Sequence, residues 1–250
     1  MSTFVLVAGG WRGGWALSPL ARTLRALGHD VFTPTLTGLG ERAHLAYARP
    51  NLDTHIVDIA NVLDYENLTD VVLCGYSYAG MVITGVADRL PERIAALVYV
   101  DAFVPDDGDS WWELAGDYFR KIAIEGPASD GFSVPPPPGR DPRVVAHLFA
   151  TFRQTIRLTG RWQEVREKIF IYASGWENTP FRPTYEKLKG KPEWIVKSLA
   201  TGHDVLLTAT EDFIEIIGEL DAMRKSSSST RTSTELAGPD AGPAQPKTAK

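Results

Sequence analysis

Six short apolar runs rich in β-forming residues, each parted from the next by a segment of different character, constrain this chain more than any other feature. They are Phe4 to Val7, Asp30 to Thr33, Val71 to Cys74, Ala95 to Val100, Ile169 to Ala173 and Trp194 to Leu199. A strand covered on both faces reads as a continuous apolar run, and a parallel neighbour can be reached only through a crossover, usually a helix. Helices are expected near residues 15–27, 52–64, 79–89 and 207–221, the last carrying Phe213, Ile214, Ile216, Ile217 and Leu220 on one face. The alternation predicts an α/β fold, with a mostly parallel central sheet of about six strands flanked by helices.

Two stretches break the alternation. More chain lies between Asp101 and Ile169 than one crossover needs, and it carries Trp111, Trp112, Tyr118, Phe119, Phe149 and Phe152. Residues 106–165 are therefore expected to form a helical lid insertion. Its rings would either line a substrate pocket or pack the insertion's own core. Pro135 to Pro138 favours an extended segment, read as a loop flanked by helices. From Lys225 onward Ser, Thr, Gly, Pro, Ala and Lys dominate, so a disordered tail over 225–250 is expected after a single domain of residues 1–224.

Composition narrows the classes of partner. A chain of 250 residues, 44% hydrophobic, is long enough for one large core. Its net charge of -5, without a basic face, argues against nucleic acid. The chain runs into its first strand with no basic start and no long apolar stretch, and no apolar run reaches spanning length, so neither secretion nor membrane insertion is expected. Cys74 is the only cysteine, which excludes an intramolecular disulfide. A cytoplasmic location is the expectation, and the sequence leaves open whether the chain is a monomer or a homodimer.

The strand ending at Cys74 runs into Gly75-Tyr76-Ser77-Tyr78-Ala79-Gly80 and then into the helical segment Met81 to Leu90. A serine hydroxyl is a weak nucleophile. It needs an exposed place on a tight turn, where a base can reach it and backbone N–H groups can stabilise an oxyanion. Small residues around Ser77 let such a turn close, with Ala79 standing where a second glycine is usual and Gly80 following.

Beyond this turn, four further segments carry a resemblance. They are Val5-Leu6-Val7-Ala8-Gly9-Gly10-Trp11-Arg12-Gly13-Gly14-Trp15, Thr35 to Arg42, Val98 to Pro105, and Leu199-Ala200-Thr201-Gly202-His203-Asp204. In this order they resemble the α/β-hydrolase superfamily, and more closely its branch of small esterases, plant methylesterases and hydroxynitrile lyases. The resemblance spans nearly all of the chain except the tail and implies the α/β-hydrolase fold. It also implies that the backbone N–H groups of Gly10 and Tyr78 form an oxyanion hole. One departure stands out: where His-Gly is common in the first loop, this chain has Ala8-Gly9.

His203 follows the last predicted strand, where a loop at the carboxyl edge of the sheet can return to the nucleophile, and is read as the general base. His29, His44, His55 and His147 lack that placement. The acid that orients the imidazole is expected to be Asp101, at the end of the fourth strand, with Glu177 as the alternative after the fifth, where Asn178 takes the slot usual for an aspartate. Asp204 is read as structural. Trp11, Tyr78 and the insertion's aromatic residues suggest an apolar or aromatic small-molecule substrate. No phosphate loop, dinucleotide fingerprint or cysteine-based metal motif occurs, so no cofactor and no metal are expected. The expected activity is cleavage of a carboxylic ester or lactone through an acyl-enzyme on Ser77. The alternatives are lyase, cyclase or isomerase chemistry moving protons with Ser77 and His203, and a non-catalytic small-molecule receptor.

Overall fold

All six apolar runs become strands of one sheet in the computed structural model of the chain, which describes residues 1–125, 130–177 and 179–235 and the side chains of these except Tyr118, Glu125 and those of 225–235. The strands are β1 (Thr3–Val7), β2 (Asp30–Phe32), β3 (Val71–Tyr76), β4 (Ile94–Val100), β7 (Glu167–Ala173) and β8 (Ile195–Leu199). Their order across the sheet is β2-β1-β3-β4-β7-β8, and every pairing is parallel. The inner strands are buried on both faces; β8 is half-exposed along most of its length, as an edge strand carrying Lys197 and Ser198 should be.

The helices that cover the sheet follow from local sequence. The segment expected as one helix over 15–27 divides into a tight turn at Gly14–Leu17 and helix α1 (Ser18–Ala26), because Pro19 suits a first helical turn and not an interior. Helix α2 (Leu52–Tyr65) starts in a reciprocal cap, with the Asn51 side chain accepting from the Thr54 amide and the Thr54 hydroxyl accepting from the Asn51 amide. Helix α3 (Ala79–Arg89) is buried all round up to Asp88 and packs against α2. Gly85 makes that approach feasible, since a Cβ there would lie 2.3 Å from Ile56 Cδ1.

Between β4 and β7 the insertion forms α4 (Trp111–Leu114), α5 (Gly116–Glu125), the strands β5 (Ser133–Val134) and β6 (His147–Leu148), and α6 (Phe149–Arg153). The proline-rich loop is flanked by β5 and β6 rather than by helices: Ser133 pairs with Leu148 and Val134 with His147, so the stretch of 135–146 closes a small antiparallel ladder. Extended backbone around prolines joins strands more readily than helices, which accounts for the difference. The insertion's exit is stapled to α3, where the Asp88 carboxylate accepts from the Thr159 amide and hydroxyl and from the Trp162 amide.

Helix α7 (Arg182–Leu188) lies in the crossover from β7 to β8, and β8 is followed by α8 (Val205–Thr208) and α9 (Thr210–Glu235). Among the described residues, the chain divides into one compact unit up to Thr210 and a second that begins at Glu211. The expected boundary at residue 225 falls inside α9, which continues to Glu235. Ser and Thr are only moderately poor helix formers, and no glycine or proline stands between Lys225 and Gly238, so composition alone misplaces the end of the helix. The rest of the expected tail lies outside the described residues. Among those described, no helix is long and apolar enough to cross a membrane.

Candidate active site

The sheet order locates the site. The chain steps outward from β1 to β2 and then crosses to the other side of β1 for β3, so a crevice opens beyond the carboxyl ends of β1 and β3. The Gly9–Arg12 loop leaves β1 there, and Ser77 sits one residue past β3.

Ser77 has φ 56°, a left-handed conformation that costs a non-glycine residue on the order of 1–3 kcal/mol and persists only when neighbours over-determine it. They do so here: the Ser77 amide donates to the Val100 carbonyl, while its own carbonyl accepts from the amides of Gly80 and Phe103. A Cβ on Gly80 would lie 2.0 Å from the Phe103 carbonyl oxygen, so glycine at this position is fixed by the loop after β4. Ala79 is fully buried in the first turn of α3, and its methyl group is accommodated where a second glycine is usual.

Ser77 Oγ lies 3.0 Å from His203 Nε2, and His203 Nδ1 lies 2.6 Å from Asp101 Oδ2. The other carboxylate oxygen of Asp101 accepts from the Ala173 amide, and the Asp101 amide donates to the Ile171 carbonyl, so the adjoining strand holds both the side chain and the main chain of Asp101. Its φ of 41° is the second strained backbone at this edge. Burial pushes the Asp101 carboxyl up, against the opposing pull of the His203 hydrogen bond and charge and of the Ala173 amide. The imidazole is enclosed by rings, stacked on Phe181 and flanked by Tyr76 and Trp176. Glu177 is exposed, and Asn178 lies outside the described residues. Of the two candidate acids, Asp101 is the one that reaches the imidazole.

The backbone N–H groups of Gly10 and Tyr78, the expected oxyanion donors, have no backbone carbonyl partner among the described residues. Two buried imidazoles stand behind them. His147 Nδ1 accepts from the Trp11 amide at 3.1 Å. His55 is hydrogen-bonded on both nitrogens, with Tyr78 Oη at 2.9 Å from Nδ1 and the Thr37 carbonyl at 2.9 Å from Nε2. Burial lowers the His55 pKa to about 4; the Thr37 hydrogen bond and Asp58 raise it, and Arg42 adds to the lowering. Burial, aided by the charge of His55, holds His147 well below its ordinary value. Nothing in the sequence marked these two histidines, because their roles depend on contacts 23 and 136 residues away along the chain.

Ser77 and His203 open into a cavity of about 420 Å³ lined also by Trp11, Tyr76, Phe119, Pro136, Pro137 and Trp176. One wall is polar: Asp204 takes hydrogen bonds from Arg12 at 2.7 Å, Tyr76 at 2.8 Å and Arg140 at 3.2 Å. Burial would raise the Asp204 carboxyl, but the two guanidiniums and the Tyr76 hydroxyl outweigh it and keep it low. Asp204 is thus a wall of the cavity as well as a structural residue. Of the rings expected there, Trp11 and Phe119 line the cavity. Trp111 and Phe152 do not, being stacked at 4.0 Å in the core of the insertion. Trp112 and Phe149 pair edge to face away from the cavity, and Tyr118 lies outside the described side chains. The correction has a plain cause, since an insertion of this length must first bury its own apolar rings. Trp176, Arg12 and Arg140 escaped the sequence reading for the opposite reason, being single residues in loops without periodicity. Among the described residues no group of three or more His, Cys, Asp or Glu is placed to hold a metal ion.

Comparison with known proteins identifies the family. A model of the alpha/beta hydrolase family matches residues 4–242. The chain is 39% identical to a carbendazim hydrolyzing esterase of Nocardioides sp. (strain SG-4G) over 243 residues, covering 88% of this chain and 100% of that protein. It is 32% identical to an alpha-hydroxynitrile lyase of Arabidopsis thaliana over 105 residues, 41% of this chain and 40% of that one. Among solved structures, an extracellular alpha/beta-hydrolase from a Paenibacillus species superposes with a TM-score of 0.72 at 22% identity, covering 88% of this chain and 98% of its own, a likeness of fold. The match along nearly the whole chain, together with the strand order and the turn at Ser77, establishes that this protein belongs to the α/β-hydrolase family.

Proposed function

We propose that the protein hydrolyses a carboxylic ester or lactone of an aromatic or apolar small molecule through an acyl-enzyme on Ser77. The observation that carries this reading is the unbroken relay from Ser77 Oγ through both nitrogens of His203 to Asp101, at the wall of an aromatic-lined cavity. His203 Nε2 takes the hydroxyl proton as Ser77 Oγ attacks the ester carbon. Charge on the carbonyl oxygen develops toward the amides of Gly10 and Tyr78. The imidazolium, stabilised by Asp101, returns its proton to the departing alcohol. Water, activated by the same imidazole, then attacks the acyl group, and the acid leaves with Ser77 restored. The name of the Nocardioides relative, an esterase over its full length, supports this class of chemistry.

The insertion acts in this reading as a lid, because Phe119, Pro136, Pro137 and Arg140 contribute to the cavity from it. The test is turnover of short-chain aryl esters by the wild type and by Ser77→Ala, together with covalent capture of Ser77 by an aryl phosphonate. A burst of phenol with labelled Ser77 supports the reading. Equal rates for the two proteins, turnover without any acyl-enzyme, or tight binding of the ester without turnover would overturn it.

A further inference from the structure

We infer that His147, supplied by the insertion, is a positioning residue for the oxyanion hole: by holding the Trp11 amide it fixes the peptide that follows Gly10 and so aims the Gly10 N–H. The inference rests on the acyl-enzyme reading above and names a residue which that chemistry does not touch directly.

Three observations lead there. Gly9 and Gly10 are the most permissive residues a loop can hold, so their donors point consistently only if the chain beyond them is fixed. That next residue is Trp11, a bulky side chain at φ 65°, a conformation it keeps only under outside constraint. The constraint comes from the insertion: the Trp11 amide donates to His147 Nδ1 at 3.1 Å, the Trp11 indole donates to the Val134 carbonyl at 2.9 Å, and the Trp11 carbonyl accepts from the Val145 amide at 3.1 Å.

The second observation concerns the imidazole itself. With Nδ1 accepting, the ring proton must sit on Nε2, and Nε2 is buried without a hydrogen-bond partner among the described residues. A phenyl ring in the same place would leave no such unpaired donor, so packing alone gives no reason for an imidazole. What the imidazole adds is the Nδ1 lone pair. Burial keeps the ring neutral near neutral pH, so the acceptor is always available.

The third is location. A Cβ on Gly10 would be 3.4 Å from His147 Nδ1, and the His147 ring lies edge-on to Tyr78, the residue that carries the other oxyanion donor, with centroids 4.8 Å apart. His147 therefore lies beside Gly10 and packs on the side chain of Tyr78. It brings an imidazole to this loop from the insertion, in a chain whose position 8 is alanine.

The test compares His147→Leu, which keeps volume and removes the acceptor, with His147→Asn, whose amide oxygen falls near the Nδ1 position. Read-outs are kcat and KM for an aryl ester, and the inhibition constant of an aryl trifluoromethyl ketone, which adds to Ser77 and places an oxyanion in the hole. His147→Leu is expected to lose on the order of 10- to 100-fold in kcat, less than the loss of a whole donor, with KM within about twofold. The ketone should weaken by the same factor, and His147→Asn should recover most of both. Wild-type kcat and ketone affinity in His147→Leu would overturn the inference, as would equal losses in the two variants. If His147→Leu does not fold, His147→Gln, with its acceptor moved outward by one methylene, takes its place: it should be impaired beside Asn, and equal activity overturns the inference. Loss of the acyl-enzyme reading shows separately, as turnover by Ser77→Ala.

Discussion

The two halves of the site are built in different ways. Ser77, Asp101 and His203 all stand within a few residues of a strand end and are placed by the parallel sheet itself: β3 delivers the serine, β4 the acid and β8 the base. The Gly10–Trp11 loop also leaves a strand, yet its conformation is held from outside, by hydrogen bonds to residues 134–147 of the insertion. The relay depends on the ends of the sheet strands, whereas the oxyanion loop depends on the insertion between the fourth and fifth of them. Damage to the sheet half should therefore remove chemistry outright, and damage to the insertion half should lower it by degrees.

The largest effect expected is that of Ser77→Ala, which removes the nucleophile and leaves the fold in place. Hydrolysis of an aryl ester should fall by about 10⁴- to 10⁶-fold in kcat, the range found when a serine nucleophile is deleted. Steady-state kinetics on protein with an unchanged circular dichroism spectrum is the check. Residual activity within tenfold of wild type would mean that the sheet half does not carry the reaction. Asp101→Asn follows, with an expected loss of about 10⁴-fold because the amide imposes the wrong imidazole tautomer. Glu177→Gln, changing an exposed side chain, should stay within twofold. A reversal of this order would move the acid from the fourth strand of the sheet to the fifth.

The same contrast explains what could be read from the sequence. All six strands and the turn at Ser77 were legible because each is written in adjacent residues, whereas chain order left both Asp101 and Glu177 open as the acid, and only the fold brings Asp101 to the imidazole. The insertion was legible only as an interruption. Which of its rings pack one another and which face the cavity is decided by contacts such as Trp111 on Phe152, which no local pattern encodes. The same holds for His55 and His147. Each is one histidine in an unremarkable segment until the fold sets it beside Tyr78 or Trp11.

Gly80→Ala tests how tightly the sheet half is braced. The added methyl group would meet the Phe103 carbonyl at 2.0 Å, backbone against backbone, so neither partner can rotate away. A destabilisation of about 3 kcal/mol is expected, at the upper end of what overpacking costs, and activity should fall as the Ser77 turn shifts. Urea denaturation gives the first quantity and kcat the second. Stability unchanged within about 0.5 kcal/mol would show that the loop after β4 yields and that the turn is less constrained than its hydrogen bonds imply.

The smallest effect distinguishes the insertion half by its titration. His55, brought down to about 4, and His147, held well below its ordinary value, are neutral in the folded protein, whereas in the unfolded chain each takes up a proton near pH 6.5. Between those limits the unfolded state binds more protons, so stability is fully present above about pH 6.5 and declines as pH falls. For His55 the decline runs from about 6.5 to about 4, and each such group contributes up to about 1.4 kcal/mol per pH unit well inside its window. His147→Asn removes one of the two. The difference in unfolding free energy between pH 7.5 and 5.5 should therefore be smaller in that variant than in wild type, by about 1 kcal/mol. Identical differences would mean that His147 is protonated in the folded state. It could then no longer accept from the Trp11 amide, and the insertion would lose its hold on the oxyanion loop.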